Sequence, residues 1–133
     1  MHKCDVWIDL ECPTEGGSEA VCALFAKISL PIQPIVGEQL TFWSRQDSEV
    51  EFKMVTVTGV KSLDYISTEI DVVAHHVHPS EEGPVWSTHV RLVPGAIASL
   101  EDAQHAAAFL VAQHGFEIDP YGVNKLHSGK SAA

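Results

Sequence analysis

Lysine and arginine are scarce. The 133 residues hold eight of them against 18 Asp plus Glu, a formal charge of −10 with histidine neutral. Those eight are scattered from Lys3 to Lys130 without a cluster. A phosphate backbone is held by grouped basic side chains, so binding to DNA, RNA or an anionic membrane surface is disfavoured. Long apolar runs are also missing: none is longer than Ala20 to Ala26, matched in length by Ala106 to Ala112, far short of the ~20 residues that span a bilayer. Met1-His2-Lys3-Cys4-Asp5 is not followed by an apolar secretory core, so no export signal and a cytoplasmic location are expected. Cysteine is limited to Cys4, Cys12 and Cys22, an odd number without CxxC spacing. Neither a disulfide framework nor a zinc knuckle has its pattern here, and buried thiols acting as small hydrophobes are expected instead. No GxGxxG, P-loop or GxSxG motif occurs. The carboxylate pairs Glu81-Glu82 and Glu101-Asp102 fall at polar, exposed positions. Acid–base catalysis would need one of each pair desolvated.

What is present is period-two alternation. Apolar residues make up 45% of the chain and charged residues 20%, enough for one packed domain over 1–127, with 128–133 a frayed tail. Cys4, Val6, Ile8, Leu10 and Cys12 alternate with Asp5, Trp7, Asp9 and Glu11, which predicts a half-buried strand ended by Pro13 and Gly16-Gly17. From 21 to 32 the even positions Cys22, Leu24, Ala26, Ile28, Leu30 and Ile32 are apolar. A helix from Ser18 also fits part of this segment, but six matches at period two favour a strand. Further strands are expected at 38–44, 50–58, 65–77 and 85–93, with a turn at 45–48, a bend at 59–64 and a loop at 79–84. One helix is expected at 99–114: Ser99 as cap, Glu101 and Asp102 in the first turn, Gly115 just past the end. Its apolar stripe is Leu100, Ala103, Ala107, Leu110, Val111 and His114, and Phe116 and Ile118 extend from it onto the body. The expected fold is α+β, mainly β: a curved antiparallel sheet or small β-barrel of about six strands with this C-terminal helix packed on it.

Histidine carries the chemical signal. Four of the eight histidines lie between His75 and His89. On a strand His76 and His78 point the same way, ~6–7 Å apart at Cα, a spacing that suits two imidazoles on one metal. With Glu82 they give His76-x-His78-x3-Glu82, which resembles the ligand core of the first cupin motif. The resemblance implies a divalent metal (zinc, nickel, manganese or iron) held inside a barrel by His76, His78 and Glu82. His89 or His75 would be an additional ligand. The likeness covers about seven residues, because Ile70 and His89 stand where that motif has glycines. A hairpin of 65–77 with 85–93 would make His75 and His89 cross-strand neighbours on the solvent face. His76 and His78 would then continue the inner face or its rim.

Three functions follow as expectations. The first is a non-catalytic acidic binding or accessory protein acting through protein–protein contacts or self-association, with no cofactor. A toxin immunity factor would be one instance, and Trp7 and Trp43 are candidate contact aromatics. The second is a metal-dependent small-molecule enzyme using the histidine site. The third is a pH response of the clustered imidazoles.

Overall fold

The computed structural model describes residues 1–45, 54–55, 62–63, 65–97 and 99–126. Two long strands begin the chain, β1 (His2–Thr14) and β2 (Gly17–Leu30), paired antiparallel from Thr14–Gly17 to His2–Leu30. The alternation in β1 is realised: Cys4, Val6, Ile8, Leu10 and Cys12 are buried, and the intervening residues face the other way. Pro13 does not end the strand but pairs with Ser18. Among the described residues no other strand lies against β1 at that position, so the missing N–H of proline costs no ladder bond.

The chain continues through β3 (Gln39–Trp43), β4 (Met54–Val55), β5 (Ser62–Leu63), β6 (Tyr65–His78), β7 (Val85–Leu92), β8 (Gly95–Ala96), α1 (Leu100–His114) and β9 (Glu117–Ile118). The main sheet runs β3-β6-β7-β1-β2-β9, with β8 beside β1, and curls into a half-barrel around the helix. The sheet is mixed rather than antiparallel throughout, because β7 and β8 both lie parallel to β1. Of the expected strand at 50–58 only Met54–Val55 falls within the described residues, paired with Ser62–Leu63 inside the segment expected to bend. Most of the turn at 45–48, the remainder of 59–64 and the tail at 128–133 lie outside the described residues.

The helix forms where its caps predict. Ser99 Oγ accepts from the Asp102 N–H at 3.1 Å, and Gly115 ends the helix at φ 70°, its N–H returning to the Leu110 carbonyl. Its buried face is Ala103, Ala106, Ala107, Phe109 and Leu110. Val111, expected on that stripe, is 44% exposed, and Phe109 fills the core instead. The three small alanines let α1 lie close on β1 and β2, while Phe109, His114, Phe42 and Phe116 form edge-to-face contacts at its C-terminal end. His114 Nε2 meets the Trp43 carbonyl at 2.9 Å, fastening that end to β3.

Two bulges decide which side chains reach which face. In β2 the register shifts between Leu10–Cys22 and Glu11–Ala20, so Val21 is the extra residue and is buried beside Cys22. In β6, Ile70 faces Leu92 and Val72 faces Arg91, which leaves Asp71 extra. A bulge of one residue reverses the odd–even rule downstream. Up to Ile70 the even residues are buried; beyond it Val73 packs on the core and Val72 is exposed.

Candidate functional site around Trp7

With α1 on one face of the sheet, the opposite face is the uncovered one. Among the described residues no helix or strand crosses it. Strand register arranges this face in rows. Arg91, Trp7, Phe25 and Glu117 align across β7, β1, β2 and β9, and Ala74, His89, Asp5 and Lys27 align across β6, β7, β1 and β2.

Five rings on this face stack one on the next: Phe25, Trp7, His89, His76 and His78. Their successive centroid separations are 6.0, 4.8, 4.0 and 6.3 Å, with interplanar angles of 26°, 38°, 14° and 17°. The bulge at Asp71 brings His76 and His78 here, and this corrects the expected facing. His89 pairs with Ala74 and shares its face with His76 and His78, whereas His75 pairs with Thr88 on the other side. There His75 Nδ1 meets Thr88 Oγ1 at 3.0 Å.

Polar contacts fix the ladder. Ser87 Oγ lies 3.1 Å from His78 Nε2 and 3.2 Å from His89 Nε2. A single hydroxyl can donate to one of these nitrogens while accepting from the other. Asp5 Oδ2 is 3.5 Å from the same His89 Nε2, and Arg91 reaches Asp9 at 3.7 Å. This is not a Ser-His-Asp relay. In a relay the carboxylate holds one ring nitrogen and the hydroxyl uses the other, but Asp5 and Ser87 both address Nε2.

The sequence-predicted metal ligands separate. Glu82 sits in the exposed turn between β6 and β7, His75 is on the far face, and His76, His78 and His89 form the ladder. Among the described residues no three His, Cys, Asp or Glu are arranged to hold a metal ion. An imidazole lone pair lies in the ring plane, and His76 and His89 lie nearly parallel with centroids 4.0 Å apart. In this arrangement their lone pairs do not meet at one ion.

Burial pushes the thiols of Cys4, Cys12 and Cys22 up, that of Cys22 to about 11. A raised thiol is a poor nucleophile at neutral pH, in keeping with their place in the core. His89 moves the other way, below the ordinary histidine value. Burial is the main cause and repulsion from His76 the next; Asp5 opposes both, and His78 adds a smaller repulsion. The folded state therefore resists protonating His89. This contribution to stability is fully present above the unfolded value of ~6.5 and is lost as pH falls below it. In an NMR titration His89 is expected to have a midpoint below ~6.5, rising in His76→Gln as its neighbour's charge is removed. A His89 midpoint above ~6.5 would mean that attraction to Asp5 outweighs burial.

Two concavities flank Trp7. One, about 240 Å³, is lined by Trp7, Val72, Ala74, His76, His89 and Arg91. The other, about 340 Å³, lies between Trp7, Phe25, Glu117, Asp119, Pro120 and Tyr121. Sequence reading named Trp7 but missed Phe25, Asp5 and Tyr121, whose roles depend on the β1–β2 and β2–β9 registers. Trp43 stacks on Tyr65 at the β3 edge of the sheet, on the outer side from Phe42, and is not one of the rings of the ladder. No described helix is long and apolar enough to cross a membrane. No family model matches the chain, and no curated protein or solved structure matches it either.

Proposed function

We propose that this chain is a non-catalytic binding module that acts through protein–protein contacts at its uncovered sheet face. The observation that carries this reading is the five-ring ladder from Phe25 to His78, supported by strands from below and bare on top. Rings held by neighbouring rings and by Ser87 lose little freedom when a partner closes over them. Large amphipathic side chains in such settings carry much of the binding energy at protein interfaces. The charge of −10 favours encounter with a basic protein. A small acidic protein that neutralises a basic one, as an immunity factor does, is one form this takes. Against catalysis stand the shared Nε2 of His89 and the raised thiols.

Affinity capture from an extract of the source cells tests the proposal. Wild type and Trp43→Ala are expected to retain the same stoichiometric protein, or a second copy of this chain. Trp7→Ala and Ala74→Arg are expected to lose it while keeping a cooperative unfolding transition. Ala74→Arg fills the concavity beside His76 without removing a ring. Equal retention by all four proteins would refute the assignment of the face, as would the absence of any stoichiometric partner or self-association.

A further inference from the structure

We propose that the cleft between Trp7 and Tyr121 receives an arginine side chain of the partner. The inference rests on the reading of this face as a docking surface and names the chemistry of one contact on it. Three aromatic residues, Trp7, Phe25 and Tyr121, line the cleft together with Pro120, and Glu117 and Asp119 supply two carboxylates. Among the described residues neither carboxylate has a basic partner, while Asp5, Asp9 and Glu19 each do. Tyr121 is 98% exposed. Leaving a phenol ring in water beside two unpaired carboxylates and a half-buried tryptophan brings no gain to the isolated fold.

The far wall is fixed before any partner arrives. Asp119 donates its N–H to the Ala23 carbonyl at 2.9 Å, and Ala23 donates to Val123 at 3.0 Å, so the turn is bonded to β2 on both sides. Asp119 Oδ1 accepts from the Tyr121 N–H at 2.9 Å, which orients the carboxylate and leaves Oδ2 for another donor. Gly122 lets the turn come this close, since a Cβ there would lie 2.7 Å from the Ala23 Cβ. Glu117 is placed by its register opposite Phe25.

These parts match a guanidinium better than any other side chain. It stacks on aromatic faces, is weakly hydrated, and offers forked donors to more than one carboxylate. The volume of about 340 Å³ sits at the low end of the ~300–1,000 Å³ usual for ligand pockets, which suits one inserted side chain. A cofactor would need more. The second cleft, beyond Trp7, is lined by Arg91, which pairs with Asp9, and by two histidines, and has no carboxylate among its lining residues.

The test uses the full chain and two short uncharged-end peptides, one with a central arginine and one with citrulline, its neutral isostere. Binding is read from the indole N–H resonance of Trp7 and the backbone resonances of 117–121. The arginine peptide is expected to give a saturable shift with a Kd on the order of 1 mM, and the citrulline peptide to bind at least about tenfold more weakly. Tyr121→Ala and the double variant Glu117→Gln/Asp119→Asn should each weaken the arginine peptide about fivefold or more. The asparagine still accepts from Tyr121, so the turn is retained. Equal binding of the two peptides, or no saturable shift, would overturn the proposal. Failure of the cleft is distinguishable from failure of the face. A partner retained by the Tyr121 and carboxylate variants but lost with Trp7→Ala overturns the arginine contact and leaves the docking surface standing.

Discussion

Phe109→Ala is expected to cost about 3–5 kcal/mol of folding stability, read as a lowered urea midpoint with an unchanged slope. Phe109 is fully buried, and its ring meets His114 edge-on with centroids 5.1 Å apart. His114 in turn contacts Phe42 and the Trp43 carbonyl, and Phe42 meets Phe116. The side chain thus sits where the helix C-terminus, β3 and the segment after Gly115 converge, and three of the four other buried residues of the helix are alanines, too small to fill the space it leaves. A domain of this size holds ~5–15 kcal/mol in total, so roughly a fifth or more of its stability depends on this one ring. Val111→Ala, on the same helix but 44% exposed, should cost less than about 1 kcal/mol. Equal losses for the two would mean that α1 is rotated relative to the face described.

The second large effect is a contrast between two single-residue deletions in β6. Removing Asp71 takes out the bulge, so that Val72 follows Ile70 and still pairs with Arg91. Every later pair keeps its partner and its face. Deletion of Asp71 is therefore expected to leave the fold and the ring ladder in place, with a stability change within about 1 kcal/mol. Removing Ser67 instead leaves Ile66 and Ile70, both buried, three residues apart, so one of them must turn to the outer face. That deletion should cost at least about 3 kcal/mol or abolish the cooperative transition. Denaturation curves and the ring resonances of His76 and His89 decide the matter. Similar losses for the two deletions would contradict the placement of the bulge at Asp71.

These bulges mark the limit of what the sequence makes legible. Alternation in 4–12 and 21–32 identifies both strands, and the Ser99, Glu101, Asp102 and Gly115 signals locate the helix to within a residue, because each is a local consequence of local chemistry. Facing within β6 is different. Val72 is apolar, so the run Ile66, Ile70, Val72, Ala74 reads as one unbroken face, and nothing local says that Val73 has replaced Val72 at the core. The choice is made by the partner: Val90 and Leu92 on β7 must both be buried, and only an extra residue reconciles their positions with Val73 and Ile70. For the same reason alternation sets His75 apart from His76 and His78, but the expected pairing of His89 with His75 is overturned: His89 joins His76 and His78. The parallel contacts of β7 and β8 with β1 lay out of reach too, since they link residues about 85 apart that no single turn joins.

The placement of Trp7 between two clefts, one with two carboxylates and one with none, gives the account its central claim: the ladder face, and not the helix face, meets the partner. Hydrogen exchange of the full chain, alone and in the captured complex, tests this most directly. The account predicts slowed exchange in residues 5–9, 23–27, 87–91 and 117–121 on complex formation, with 100–114 unchanged. Protection confined to α1, or an exchange pattern that the complex leaves unaltered, would contradict it.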